Sequence, residues 1–272
     1  MQILRPEFDL ASFCRSLETS HSRLLMLDYD GTLAPFQIRR DAAVPYPGVP
    51  EALQALLLDG TTRVVVVTGR TTQALLPLLN LQPQPEIWGS HGWQRHWPDG
   101  RDEEADPGER ARSALAEALA LVREAWPSQW EEKTAGVTFH LRGLEAAPQR
   151  EFEERVKPRW RALAEENGLV LHPFEQGWEL RVPSRSKGTA VEVLLAEEGA
   201  GAAAAFLGDD LTDEDAFRAL QGRGLGVLVR TEQRPTAAAA WLKPPEELLS
   251  FLATWRTVCQ QGRPKSPPKN GW

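Results

Sequence analysis

Residues 64–67 are four consecutive valines, and residues 24–27 read Leu-Leu-Met-Leu. Neither run alternates apolar with polar, so neither suits a strand with one wet face. A short β-branched or leucine-rich run without alternation belongs to a strand covered on both sides. Helical spacing over residues 50–58 separates the two runs, and further helical spacing over 71–79 precedes a short strand at 86–88. Strand alternating with helix is the βαβ rhythm of a parallel sheet. The expected fold class is therefore α/β.

The rhythm breaks after Trp97. Residues 99–112 are polar, with Pro98, Gly100, Pro107 and Gly108 as breakers. An alanine-rich helix is expected over 109–125 and a charged helix over 149–167, with strands at 137–141, 170–171 and 178–182. These elements form a smaller α+β unit inserted into the sheet domain. After Pro183 the first rhythm returns, with helices at 188–198, 212–220 and 245–258 and strands at 203–207 and 224–229. The alanine run at 202–205 suits a strand in a tight sheet, and the run at 237–240 suits a small helix. The expected division is a catalytic core of 1–98 and 184–261, an insert of 99–183, and a disordered tail of 262–272.

The chain has 272 residues and 42% hydrophobic content, enough for two units with substantial cores. A net charge of −7 disfavours a nucleic-acid partner. No run is long enough to cross a bilayer, and the first residues are too polar for a signal peptide. Cys14 and Cys259 have no metal-type spacing and suit free thiols in a cytoplasmic protein. Most of the ten tryptophans are read as core.

Four polar segments follow predicted strands or open a helix: Asp28-Tyr29-Asp30-Gly31-Thr32, Thr68-Gly69-Arg70, Lys187-Gly188, and Gly208-Asp209-Asp210-Leu211-Thr212-Asp213-Glu214-Asp215. Parallel strands bring their carboxyl ends to one edge, where open α/β sheets keep their ligands. Asp28, Asp30 and Asp209 offer hard oxygens suited to Mg²⁺. Thr68 offers a hydroxyl, Gly69 an approachable amide, and Lys187 a cation at a helix start. Together they suit phosphoryl transfer, with Asp28 as nucleophile and Asp30 as proton donor and acceptor. Each segment alone has a plainer explanation. Asp-x-Asp-Gly-Thr occurs in acidic turns and calcium loops, although Arg39 stands where such a loop needs glutamate. The last segment could be a helix start capped by Thr212.

The four segments resemble the motifs of the haloacid dehalogenase superfamily of aspartate-nucleophile phosphatases. With Leu33-Ala34-Pro35 and Gly89-Ser90-His91-Gly92, they more narrowly resemble the trehalose-6-phosphate phosphatase family. The resemblance implies a Rossmann-like parallel sheet carrying an inserted α/β cap of type II. It implies Asp28 as nucleophile, Asp30 as acid/base, and Mg²⁺ bound by Asp28, the Asp30 carbonyl and Asp209, with Asp210 and Asp213 nearby. Thr68, Gly69, Arg70 and Lys187 would surround the phosphate. In the insert, Glu131-Glu132-Lys133, Val137-Thr138-Phe139-His140-Leu141-Arg142 and Glu179-Leu180-Arg181 resemble the family's sugar-recognition segments, with leucine replacing a tyrosine at Leu141. Lys133, His140, Glu179 and Arg181 are then sugar contacts, and His91 faces the substrate entrance. The alternative is a solvated charged face with His140 packed in a strand.

The implied activity is hydrolysis of a sugar phosphate, trehalose 6-phosphate first, beneath a cap hinged near 97–100 and 183–186. A trehalose-phosphate synthase would be functionally linked. A glucosylglycerol, sucrose or mannosylglycerate-type phosphate, a non-catalytic sugar-phosphate sensor and a phosphomutase are the alternatives. The presence of Asp28, Asp30, Lys187 and Asp209 counts against the sensor.

Overall fold

The structure is a computed structural model that describes residues 1–37, 39–174 and 177–262, apart from the side chain of residue 40. Thirteen strands are present among the described residues. In chain order they are β1 (Gln2–Ile3), β2 (Arg23–Leu27), β3 (Arg63–Val67), β4 (Glu86–Gly89), β5 (Gln94–His96), β6 (Asp102–Glu104), β7 (Trp130–Lys133), β8 (Gly136–His140), β9 (Val170–Phe174), β10 (Gly177–Arg181), β11 (Ala203–Gly208), β12 (Leu225–Val229) and β13 (Ala240–Leu242).

The larger sheet has the order β1-β13-β12-β11-β2-β3-β4-β5-β6. Its six strands from β13 to β4 are parallel. The runs at 24–27 and 64–67 are buried on both faces, as their lack of alternation predicts. Leu25, Leu27, Val64 and Val66 pack against helices Val49–Asp59, Thr72–Leu79 and Glu246–Gln261. Leu24, Met26, Val65 and Val67 pack on the other side against helices Lys187–Glu198 and Glu214–Ala219. The result is a three-layer α/β/α unit with β11, β2 and β3 at its centre. Each fully buried leucine or valine contributes about 1.5–3 kcal/mol.

The smaller sheet, β7-β8-β10-β9, is wholly antiparallel and one-sided. Val137, Phe139 and Leu180 face helix Glu109–Arg123 and helix Lys157–Asn167, and Phe139 stacks on Phe152 at 4.1 Å. By the two-residue period, Thr138, His140, Glu179 and Arg181 face the opposite way. That polar face is turned toward the carboxyl edge of the larger sheet.

Several elements differ from the sequence-based expectation. The run at 237–240 is not a helix: Ala240 starts β13, which pairs in parallel with β12. The charged helix over 149–167 is two helices, Ala146–Glu151 and Lys157–Asn167, joined by a wider π turn. Asp210, not Thr212, caps the turn after β11. Strand β6, within the segment expected to be loop, joins the larger sheet. Both cysteines are free. The expected tail lies almost entirely outside the described residues.

Candidate active site

The carboxyl ends of the central strands converge. Asp28 follows β2, and its N–H donates to the Leu207 carbonyl of β11 at 2.8 Å. Asp209 follows β11, and Thr68 follows β3. The turn after β4 is tied to the turn after β3 by His91 N–H to Thr68 O (2.9 Å) and Ser90 N–H to Arg70 O (2.7 Å).

Lys187 begins its helix directly after Ser186, whose side chain caps it. Its Nζ donates to Asp28 Oδ1 at 2.6 Å and to Asp213 Oδ1 at 2.7 Å. The other Asp213 oxygen accepts the N–H groups of Asp209 and Asp210, both at 2.9 Å. Both oxygens of Asp213 are therefore committed, and its role is to hold Lys187 and the Asp209 loop. Asp209 is different: its Oδ1 is buried with no hydrogen-bond partner. Gly31 permits this approach, since it has φ +81° and a Cβ there would sit 2.2 Å from Asp209 Oδ2.

Asp28, Asp209 and Asp213 offer oxygens within 4.8 Å of one another, and all three are buried. Three carboxylates against one ammonium leave a formal charge of −2, which matches a divalent cation. Burial pushes the Asp28 carboxyl up from 3.8 to about 7, with Lys187 opposing and Asp213 reinforcing. Burial and the neighbouring Asp28 and Asp213 push Asp209 well above its usual range. Burial alone would lower the Lys187 ammonium, but Asp213 and Asp28 outweigh it and hold it protonated. The hard-oxygen donor set, the orphaned Asp209 oxygen and the charge balance fit a divalent metal ion.

Asp30 lies beside this cluster. Arg70 clasps it with two parallel bonds of 2.6 Å, Nε to Oδ2 and Nη2 to Oδ1. The Thr68 hydroxyl accepts the Arg70 N–H at 3.1 Å. Arg70, expected beside the phosphate, is thus bound to the expected acid/base.

The polar face of the smaller sheet supplies the opposite wall. Lys133 Nζ donates to Glu179 Oε1 at 2.6 Å, and the Thr138 hydroxyl to the same oxygen at 3.2 Å. His91 Nε2 lies 3.3 Å and Arg181 Nη1 lies 3.7 Å from Glu179 Oε2. Burial opposes ionisation of Glu179, but Lys133, His91 and Arg181 outweigh it and keep its carboxyl well below the usual value. Burial lowers His91 to about 4 despite Glu179, so the imidazole is neutral near pH 7. His140 Nε2 lies 3.8 Å from Glu131.

A cleft of roughly 650 Å³, including its open mouth, lies between the two walls. Asp28, Asp30, Gly69, Arg70, His91, Lys187 and Asp210 line it from the larger sheet's unit, with Lys133, His140 and Glu179 from the smaller sheet. Thr68, Asp209 and Asp213 are buried behind that lining, and Arg181 lines a smaller recess beside His91 and Glu179. Sequence reasoning missed Phe36 and Phe174 at the cleft, whereas Arg142, within the 137–142 segment, also lines it. Arg142 donates to the Gln37 carbonyl and covers the Phe36 ring at 5.1 Å. Period-two spacing from His172 along β9 would have flagged Phe174. Phe36 carries no such signal.

Comparison with known proteins shows the family of the chain. The profile of the trehalose-phosphatase family matches residues 26–245, a span that contains every residue of the cleft named above. A trehalose-phosphate phosphatase of Mycobacterium marinum is 31% identical over 241 residues, covering 84% of this chain and 60% of that protein. The chain thus spans less than two thirds of that relative's length. Among solved structures, the C-terminal domain of a Candida albicans trehalose-6-phosphate phosphatase superposes with a TM-score of 0.78 at 21% identity, covering 94% of this chain and 99% of that one. A haloacid dehalogenase-like hydrolase from Bacillus subtilis superposes at 0.59 with 18% identity, covering 85% of this chain and 99% of that one, in accord with the parallel sheet and separate small antiparallel sheet. With a haloacid dehalogenase-like fold and a family match across most of its length, the chain belongs to the trehalose-phosphatase family.

Proposed function

We propose that the chain is a Mg²⁺-dependent phosphatase that hydrolyses trehalose 6-phosphate to trehalose and phosphate. One observation carries this reading. A buried carboxylate, Asp28, is held by Lys187 at 2.6 Å and opens onto a cleft whose far wall is the hydrogen-bonding Lys133–Glu179 face.

Asp28 attacks phosphorus while the bond from phosphorus to the sugar oxygen breaks, leaving an aspartyl-phosphate. Asp30 gives its proton to the departing sugar oxygen, then takes one from the water that attacks the aspartyl-phosphate. Phosphate leaves and Asp28 is regenerated. Asp30 must be released from Arg70 to act as an acid, and an arriving phosphate competes for those guanidinium donors. Thr68, Gly69, Arg70 and Lys187 hold the phosphate oxygens. Asp28, Asp209 and the Asp30 carbonyl would hold Mg²⁺, which when bound offsets the repulsion between Asp28 and a phosphate dianion. Asp210 and Asp213 fix the Asp209 loop from behind.

His91, Lys133, His140, Glu179 and Arg181 bind or position sugar hydroxyl contacts. Residues 99–183 act as the cap on a core of 1–98 and 184–261, with β6 remaining attached to the core sheet. Closure around Arg142 and Phe36 excludes bulk water. On this reading the enzyme is cytoplasmic and follows a trehalose-phosphate synthase.

Phosphate release from a panel of trehalose, sucrose, glucosylglycerol, mannosylglycerate and glucose phosphates, with Mg²⁺ or EDTA, tests the proposal. Trehalose 6-phosphate should lead the panel and EDTA should abolish turnover. A different leading substrate would remove the trehalose assignment and leave the phosphatase class. No turnover of any member would favour a sensor.

A further inference from the structure

Glu214 belongs to the acidic segment after β11, yet the proposed chemistry gives it no task. It binds Arg234, whose Nη1 reaches Glu214 Oε1. The Thr236 hydroxyl (2.9 Å) and the Ala237 N–H (2.7 Å) also donate to Glu214, so the carboxylate is anchored in the loop that follows β12. From that anchor the Arg234 guanidinium reaches back to the main chain of the Asp209 loop. Nη2 donates to Asp209 O at 3.1 Å and to Asp210 O at 2.7 Å, and Nε lies 3.3 Å from Asp209 O. Arg230 adds a further contact to Asp209 O at 3.3 Å.

The same two residues are held from the other side, where Asp213 accepts both of their N–H groups. The Asp209–Asp210 backbone thus has its donors fixed by a carboxylate and its acceptors fixed by a guanidinium. This fixes the direction in which the Asp209 carboxylate leaves the chain, and hence the placement of its unpartnered buried Oδ1.

We propose that Arg234, anchored by Glu214, is a positioning residue that presets Asp209 for a divalent cation. The inference rests on the metal reading above. Groups that orient metal ligands typically change affinity by about 10–100-fold when removed. The sign separates positioning from simple electrostatics. Removing a nearby positive charge would by itself tighten cation binding, whereas losing the clamp weakens it.

Isothermal titration of the full chain with MgCl₂ alone tests this, using wild type, Arg234→Ala and Arg234→Lys. Both variants should bind Mg²⁺ about tenfold or more weakly. In the phosphatase assay, the Mg²⁺ concentration for half-maximal rate should rise by the same factor, with kcat at saturating Mg²⁺ within about threefold of wild type. Arg234→Lys keeps the charge but lacks the planar fork that spans two carbonyls, so it should fail as Arg234→Ala does. Unchanged or tighter binding in Arg234→Ala would overturn the positioning role alone. Wild type that binds no Mg²⁺ would overturn the metal reading, and this inference with it. Should Arg234→Ala lose its circular-dichroism signature of folding, Glu214→Gln, which loosens the anchor without removing the arginine, carries the same expected direction and the same refutation.

Discussion

Adding Mg²⁺ to the metal-free protein should raise its melting temperature, and more so at pH 7.5 than at pH 5.5. The cause is the buried −2 cluster of Asp28, Asp209, Asp213 and Lys187. An Asp28 carboxyl raised from 3.8 to about 7 binds its proton more tightly in the folded chain than in the unfolded chain. Below pH 3.8 it changes nothing; as pH climbs toward 7 the folded state loses stability, by roughly 4 kcal/mol once both states are ionised. A divalent cation binds the ionised carboxylates and removes that cost. At a Mg²⁺ concentration of about 100 Kd, binding contributes about 2.7 kcal/mol. For a chain of this size that corresponds to a rise of roughly 5–10 °C. At pH 5.5 protons compete for Asp28 and Asp209, and the rise should shrink. His91, lowered to about 4, acts in the opposite sense between its unfolded value of 6.5 and about 4. The readout is therefore the difference between Mg²⁺ and EDTA samples at each pH, measured by scanning calorimetry. No rise at pH 7.5, or a larger rise at pH 5.5, would refute the charge argument.

Three substitutions probe separate parts of the site. Glu179→Gln weakens the contacts to Lys133, His91 and Arg181, so KM for trehalose 6-phosphate should rise about tenfold or more while turnover of p-nitrophenyl phosphate stays within about threefold; equal losses on both substrates would contradict a sugar-recognition role. Lys187→Met leaves Asp28 and Asp213 without their shared cation, and urea unfolding should report a loss of about 3–5 kcal/mol in the metal-free chain. A loss below about 1 kcal/mol would show that the triad carries little of the fold. Gly31→Ala forces a side chain onto a backbone of φ +81° and into the Asp209 carboxylate, so its half-saturating Mg²⁺ should rise about tenfold, with wild-type affinity the contrary result.

What could be read in the residues follows the strength of their burial. The runs at 24–27 and 64–67 are covered on both faces, and both are strands where expected. Ala203–Gly208 is a strand despite its alanines, because it pairs with β2 and β12 and its side chains are buried alternately on the two faces, Ala203, Ala205 and Leu207 on one and Ala204 and Phe206 on the other. The other alanine run failed for the opposite reason. Alanine favours helix, but Ala239 and Ala240 bond to β12, and Ala237 N–H and Ala238 N–H are taken by Glu214 and Thr236. Strand β6 had no readable apolar pattern, since all three of its residues are exposed; ladder bonds to β5 hold it, together with side-chain bonds from His96 to Asp102 and from Gln94 and Thr134 to Glu104. Strand β7 was hidden by Glu131 and Glu132, which have no place in an apolar alternation. In the site, Asp28, Lys187 and Asp209 converge as parallel-strand geometry requires. The Arg70–Asp30 clasp was invisible, because nothing local in Thr68-Gly69-Arg70 says which anion its guanidinium meets. His96, at the end of β5, bonds Asp102 and Gln84, both at 2.9 Å.

The central claim is that Asp28 forms the bond to phosphorus. Phosphate release from trehalose 6-phosphate in saturating Mg²⁺, compared between wild type and Asp28→Asn, tests it most directly. Wild type should turn over, and Asp28→Asn should fall by roughly 10⁴-fold or more while keeping the wild-type circular-dichroism spectrum. Turnover by a folded Asp28→Asn chain at a rate near that of wild type would contradict the claim.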